Sequence, residues 1–152
     1  MASLITAYIV VVNVVGYKMN KLKIFTDGGA RGNPGEAAIG VVFFENDKII
    51  HSHKERIGKA TNNVAEYQAV VCALTLAKEK FKPKSIEINL DSELVAHQLN
   101  GKYKVKDANL KELYYQVRKL ILELGGEVFF HHVRREQNKE ADKLVNHALD
   151  GS

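Results

Sequence analysis

The stretch Lys21-Leu22-Lys23-Ile24-Phe25-Thr26-Asp27-Gly28-Gly29-Ala30-Arg31-Gly32-Asn33-Pro34-Gly35 decides how the rest of the chain is read. Residues 21–26 alternate polar and apolar side chains, the period of a half-buried strand. The alternation stops at Asp27, and residues 28–35 read as a glycine-rich loop. Residues 37–45 then form a nearly continuous apolar run, which predicts a central strand covered on both faces. Glu45-Asn46-Asp47-Lys48 is turn-like, and residues 49–57 return as the third strand of a meander.

Working outward, Thr61 or Asn62 can cap a helix whose buried side carries Val64, Ala65, Ala69, Val70, Ala73, Leu74 and Ala77. Pro83 lies beyond its end. Residues 85–90 form a fourth strand with Ile86, Ile88 and Leu90 inward, stopping at Asp91. A short helix over 92–99 ends at Asn100-Gly101. Asp107 or Asn109 can cap a helix running to Leu124, which Gly125-Gly126 terminates. Residues 127–133 form a fifth strand, in which one of His131 and His132 faces in and the other out. A last helix over 138–149 places Ala141, Leu144, Val145 and Ala148 at helical spacing. The order βββαβααβα predicts an α/β fold, a five-stranded mixed sheet flanked by helices.

A chain of 152 residues with 45% hydrophobic and 26% charged residues suits one globular domain. The net charge of +4 leans mildly toward polyanionic partners. The single cysteine, Cys72, cannot form an internal disulfide and lies in an apolar helical stretch. It reads as a small core residue in a reducing, cytoplasmic setting. Residues 1–18 are an apolar extension of unknown role. Their uncharged, β-branched run lacks the basic start of a signal peptide and falls short of the roughly 20 residues that span a bilayer, so no membrane role is expected. An added edge strand, with contacts to a second chain, and an accidental extension ahead of a start at Met19 both stay open. The domain proper is expected over residues 19–150, as a monomer.

Four acids fall at telling places. Asp27 ends the first strand, Asp91 ends the fourth, Glu66 lies one turn into the first helix and Asp142 lies in the last. With strands one and four as parallel neighbours, Asp27 and Asp91 emerge side by side at the carboxyl edge, where such sheets place ligand sites. A carboxylate from each flanking helix completes a cluster. Such a cluster repels itself and raises at least one pKa unless divalent cations neutralise it, and hard oxygen donors suit Mg²⁺ or Mn²⁺. Taken singly, an Asp at a strand end is more often a turn or cap residue, and Glu66 alone reads as a helix-surface charge.

The local contexts change that balance. The segment from Thr26 to Gly35 resembles the first signature of the ribonuclease HI family. Thr61-Asn62-Asn63-Val64-Ala65-Glu66 resembles the second, Asp91-Ser92 the third, and Asn138-Lys139-Glu140-Ala141-Asp142 the last. The resemblance covers residues 21–149 and implies a ribonuclease H-like fold. It also implies an endoribonuclease that hydrolyses the RNA strand of RNA–DNA hybrids, leaving 5′-phosphate and 3′-hydroxyl ends. The implied ligands of two Mg²⁺ ions, with Mn²⁺ as a substitute, are Asp27, Glu66, Asp91 and Asp142. No protein nucleophile is needed, so the lack of a Ser/His/Asp arrangement is expected. Asn33, Asn62, Asn63 and Glu93 resemble groove contacts, and Thr61 resembles a DNA-strand phosphate contact. The backbone of Gly28, Gly29, Ala30 and Arg31 is free to approach the groove that displays the 2′-hydroxyls.

Three features depart from the family pattern. Where larger relatives carry a basic helix with tryptophans, this chain has only Gly101-Lys102-Tyr103-Lys104-Val105-Lys106 and no Trp, like the compact, archaeal-like subgroup. Lys104 and Lys106 can still touch phosphates, though a solvated edge explains them as well. Asp107 stands where many relatives place a phosphate-contacting Asn, and an acid there would repel the DNA backbone. The family's mobile catalytic His is missing, and Arg135 is the nearest substitute by its spacing from Asp142. A nuclease that also cuts double-stranded RNA and an inactive hybrid-binding module remain as other readings. Four mutually repelling carboxylates argue against the last.

Overall fold

The computed structural model describes residues 20–151. The expectations placed on residues 1–18 therefore lie outside the described residues. The elements run β1 (Lys21–Arg31), β2 (Gly35–Glu45), β3 (Lys48–Ala60), α1 (Asn62–Leu76), β4 (Ser85–Leu90), α2 (Glu93–Leu99), α3 (Ala108–Leu124), β5 (Glu127–His132) and α4 (Lys139–Asp150). A wider helical turn, Ala77–Phe81, prolongs α1, and a 3₁₀ turn, Arg135–Gln137, precedes α4.

The sheet order is β3-β2-β1-β4-β5, with β1 antiparallel to β2 and parallel to β4. The expected fold is the observed one, a five-stranded mixed sheet with helices on both faces. The glycine-rich segment differs from expectation. Residues 28–31 are not loop: they continue β1 and pair in register with β2 from Gly28↔Ile39 to Arg31↔Glu36. Backbone hydrogen bonds hold a strand together whatever its side chains, so glycines survive inside a ladder that has a partner. The real turn is Gly32 to Pro34, with a cis Asn33–Pro34 peptide. Pairing with β4, by contrast, ends at Thr26↔Leu90. Beyond that point β1 and β4 separate, and the crevice between them opens at Asp27 and Asp91.

Alternation along β1 sends Leu22 and Ile24 into the main core, with Val41 and Phe43 of β2, the buried side of α1 and Leu110 and Val117 of α3. The opposite face carries a smaller core in which Ala38 meets Val145 and Ala148 of α4. Two glycines let the flanking helices approach. A Cβ on Gly28 would overlap the backbone of Ala65 and Glu66 in α1, and one on Gly40 would lie 2.5 Å from the Ala141 carbonyl oxygen of α4.

Smaller expectations also shift. Thr61 is the cap of α1, its Oγ1 accepting from the Val64 amide at 3.2 Å. Asp107 is the cap of α3, its Oδ1 accepting from the Leu110 amide at 3.0 Å. That bond gives the Asp107 carboxylate a structural role, which an Asn would fill as well. Val64 is half-buried, whereas Tyr67, absent from the expected buried side, is fully buried and donates its hydroxyl to Gln98 Oε1 at 2.8 Å. His131 and His132 are both exposed, because edge strand β5 buries only Phe130 fully. Cys72 packs half-buried against the core, and burial pushes its thiol up to about 11. No helix among the described residues is long and apolar enough to cross a membrane.

Candidate active site

Three carboxylates converge where β1 and β4 part. Asp27, Glu66 and Asp91 each offer an oxygen, and these lie within 4.8 Å of one another. Asp27 comes from β1, Asp91 follows β4, and Glu66 is pressed in by α1, whose backbone rests on Gly28. Asp27 and Glu66 are only 7% and 6% exposed, so water screens neither. Asp142, from the first turn of α4, borders the same cleft of about 360 Å³ and adds its field to Asp27.

Burial first, and the charge of Asp91 second, push the Asp27 carboxyl up to about 7. Burial, then the charge of Asp27, raises Glu66 well above the ordinary carboxylate range. The two share a hydrogen bond, and the Gly28 amide donates to both, which offsets part of the cost. One Glu66 oxygen, Oε2, is buried with no hydrogen-bond partner. Buried acceptors of this kind are rare, and a divalent cation satisfies an acceptor-only group directly. The donor set is all oxygen, with no sulfur or imidazole, which fits a hard cation such as Mg²⁺ or Mn²⁺.

The floor of the cleft is residues 28–31 and its rim is Asn62 and Asn63. A pair of hydrogen bonds ties floor to rim: the Ala30 amide donates to Asn62 Oδ1 at 2.9 Å, and the Asn62 amide donates to Asn33 Oδ1 at 3.0 Å. The glycine-rich turn and the start of α1 are thereby one unit.

Comparison with known proteins agrees with this geometry. The profile of the family described as "Reverse transcriptase-like" matches residues 25–148. Ribonuclease HI of Halobacterium salinarum is 39% identical over 131 residues, covering 86% of this chain and 65% of that protein. The crystal structure of LC11-RNase H1 in complex with RNA/DNA hybrid is 42% identical with a TM-score of 0.80, covering 86% of this chain and 97% of that one. This chain belongs to the ribonuclease H family. Another relative, Bifunctional protein Rv2228c of Mycobacterium tuberculosis, is 38% identical over 134 residues, which are 87% of this chain but 36% of that protein. The chain thus spans about a third of the length of that mycobacterial relative.

Within this ribonuclease H fold, the residues singled out from sequence divide into two groups. Asp27, Glu66, Asp91, Asp142, Gly28, Gly29, Ala30, Arg31, Asn62, Asn63 and Arg135 all line one cleft. Arg31 is held there by an ion pair with Asp150 at 2.6 Å. Asn33 acts on that cleft through Asn62. The others stand apart. Thr61 borders a neighbouring depression with Pro34 and Asn109. Glu93 is exposed and pairs with His97 at 3.5 Å. Lys104 borders a separate hollow with Tyr103 and Tyr115, and Lys106 is exposed. Two polar residues at the site had no role assigned from sequence. Asn146 donates to Asp142 Oδ2 at 3.4 Å, and Asn138 donates to Asp91 Oδ2 at 3.3 Å. Their signal was spacing: Asn146 is one helical turn past Asp142, and Asn138 one turn before it.

Proposed function

We propose that this chain is a metal-dependent endoribonuclease that hydrolyses the RNA strand of RNA–DNA hybrids. The observation that carries the reading is the buried carboxylate triad, joined by Asp142, at the mouth of a cleft floored by a glycine-rich strand. The acids Asp27, Glu66, Asp91 and Asp142 hold two Mg²⁺ ions, for which Mn²⁺ substitutes. When bound, the pair supplies Lewis acidity for in-line displacement by water at phosphorus, leaving 5′-phosphate and 3′-hydroxyl ends.

The protein's own groups bind and orient. The small side chains of residues 28–30 let an RNA backbone lie close to the acids, and Asn62 and Asn63 offer amides to 2′-hydroxyls, which both donate and accept. Arg31 and Arg135 bring guanidinium groups to the cleft for phosphate oxygens. Thr61, which borders the neighbouring depression with Asn109, is the candidate contact for a phosphate of the DNA strand. Glu93, Lys104 and Lys106 lie outside the cleft, so they serve a longer duplex rather than the scissile bond. The catalytic unit is residues 19–150, acting as a monomer in the cytoplasm.

A panel of labelled substrates tests this: hybrid, double-stranded RNA and double-stranded DNA, each with Mg²⁺ or Mn²⁺. Cleavage of RNA in the hybrid, with DNA left whole, is expected. Double-stranded RNA cut at a similar rate would establish the broader nuclease instead. Tight hybrid binding with no cleavage under either metal would establish the binding module.

A further inference from the structure

Asn138 is an asparagine at the start of a helix, a position where the side-chain oxygen ordinarily accepts from the helix's own amides. Here it makes no such bond. Its Oδ1 is buried without a partner, and the residue is 1% exposed. Its Nδ2 instead donates to the Thr26 carbonyl at 2.9 Å and to Asp91 Oδ2 at 3.3 Å. Both partners are acceptors, so the nitrogen must face them and the amide has one orientation. A cap bond worth about 1 kcal/mol is forgone, and an acceptor is left unsatisfied at a cost of about 1–3 kcal/mol. The two bonds from Nδ2 offset those costs, so stability alone does not single out this arrangement.

Its position supplies a reason for it. Thr26 is the last β1 residue in register with β4 and the residue before Asp27. Asp91 is the first residue after β4. The Asn138 backbone carbonyl accepts from the Asp142 amide at 3.1 Å, beginning α4. One residue therefore touches the strand that carries Asp27, the carboxylate of Asp91 and the turn of helix that carries Asp142.

We propose that Asn138 is the positioning residue of the metal site: anchored on Thr26, its amide fixes the rotamer of Asp91 and ties α4 to the sheet at Asp142. The amide occupies one Asp91 oxygen, Oδ2, which leaves Oδ1 as the oxygen that would ligate a cation. This inference rests on reading the acids as metal ligands. Outer partners that orient ligating carboxylates typically change metal affinity about 10–100-fold when removed.

Two measurements on the full chain without nucleic acid test it. In calorimetric titration, Asn138→Ala should bind Mn²⁺ about tenfold more weakly than wild type, with the folded state verified by circular dichroism. An affinity within twofold of wild type would overturn the proposal. The second measurement needs no altered Asn138 and decides alone if Asn138→Ala does not fold. In ¹⁵N spectra the Asn138 side-chain amide should shift on saturation with Mg²⁺, and the shift should vanish in Asp91→Asn. A resonance that does not move while the Gly28 amide does, or one that moves equally in Asp91→Asn, would overturn it. Failure of wild type to bind either metal would instead remove the metal reading itself.

Discussion

The two helices that deliver acids to the cleft are seated very differently. α1 lies on the main core, with Ala65, Tyr67, Ala69, Val70, Ala73 and Leu74 buried and Glu66 almost sealed beneath it. α4 covers the other face through Ala141, Val145 and Ala148, meeting a core of few residues, and Asp142 stays half-buried. The comparison teaches a division of labour. On the α1 side, packing forces unsolvated carboxylates together, and the fold bears the electrostatic cost. On the α4 side, hydrogen bonds from Asn146 and Asn138 do the positioning, and fewer apolar contacts resist opening. α4 and the Arg135 turn are therefore the less firmly seated side of the cleft.

The largest expected effect separates the two sides directly. Asp27→Asn, Glu66→Gln and Asp91→Asn should each lower hybrid cleavage on the order of 10³-fold or more, because each displaces the charge that holds the metals. Asp142→Asn keeps the triad and should lose less, about 10–100-fold. Initial rates under saturating Mg²⁺ check the ranking, and an Asp142 variant as dead as Asp27→Asn would erase the distinction.

Next come the two glycine contacts. Gly28→Ala drives a methyl into the Ala65–Glu66 backbone and should destabilise by about 3 kcal/mol. Gly40→Ala meets the Ala141 oxygen and Leu144 Cβ, at 2.5 and 2.9 Å, but α4 can shift outward, so about 1–2 kcal/mol is expected. Urea unfolding measures both, and the reverse order would show α4 to be the more firmly seated helix.

A smaller effect concerns pH. The Asp27 carboxyl rises from 3.8 to about 7 on folding, so between those values the folded chain keeps a proton that the unfolded chain has lost. Stability of the metal-free protein from this group therefore falls as pH rises through that window, and the penalty is complete above it. Asp27→Asn should thus be more stable than wild type at pH 8 without metal, with the advantage shrinking toward pH 4. Thermal unfolding in chelator across this range reads it, and an advantage that grows toward low pH would contradict the sign.

The smallest expected effect falls on the α4 side. Arg135→Ala should slow turnover severalfold, and Arg135→Lys should recover part, since a point charge loses the paired hydrogen bonds of a guanidinium. A defect in steady state but not in a single turnover places Arg135 in product release. A defect in both places it at the scissile phosphate. Wild-type rates in both regimes would make it a surface charge.

Much of this was legible from residue order. The meander, the crossover strand and Asp91 at the end of β4 follow from periodicity and from where it stops. The end of β1 did not, because the ladder holding residues 28–31 is made by the backbone of β2, which side-chain alternation cannot report. The burial of Tyr67 depends on Gln98, on another helix 31 positions away, which satisfies its hydroxyl. The four acids could be paired with elements and so with an edge of the sheet. Lys104 could not, since a strap in which Lys alternates with Tyr and Val does not reveal which hollow it borders. Asn138 stood only at the start of the last helix and in its motif, because its Asp91 partner is 47 positions away.

The most direct test is cleavage of a hybrid carrying end-labelled RNA by wild type and by Asp27→Asn, with Mg²⁺ and with excess chelator. Wild type with Mg²⁺ should cut the RNA to fragments bearing 5′-phosphates, and the other three combinations should leave it intact. RNA cut at the wild-type rate in chelator, or by Asp27→Asn with Mg²⁺, would contradict the claim that this carboxylate cluster and its cations perform the reaction.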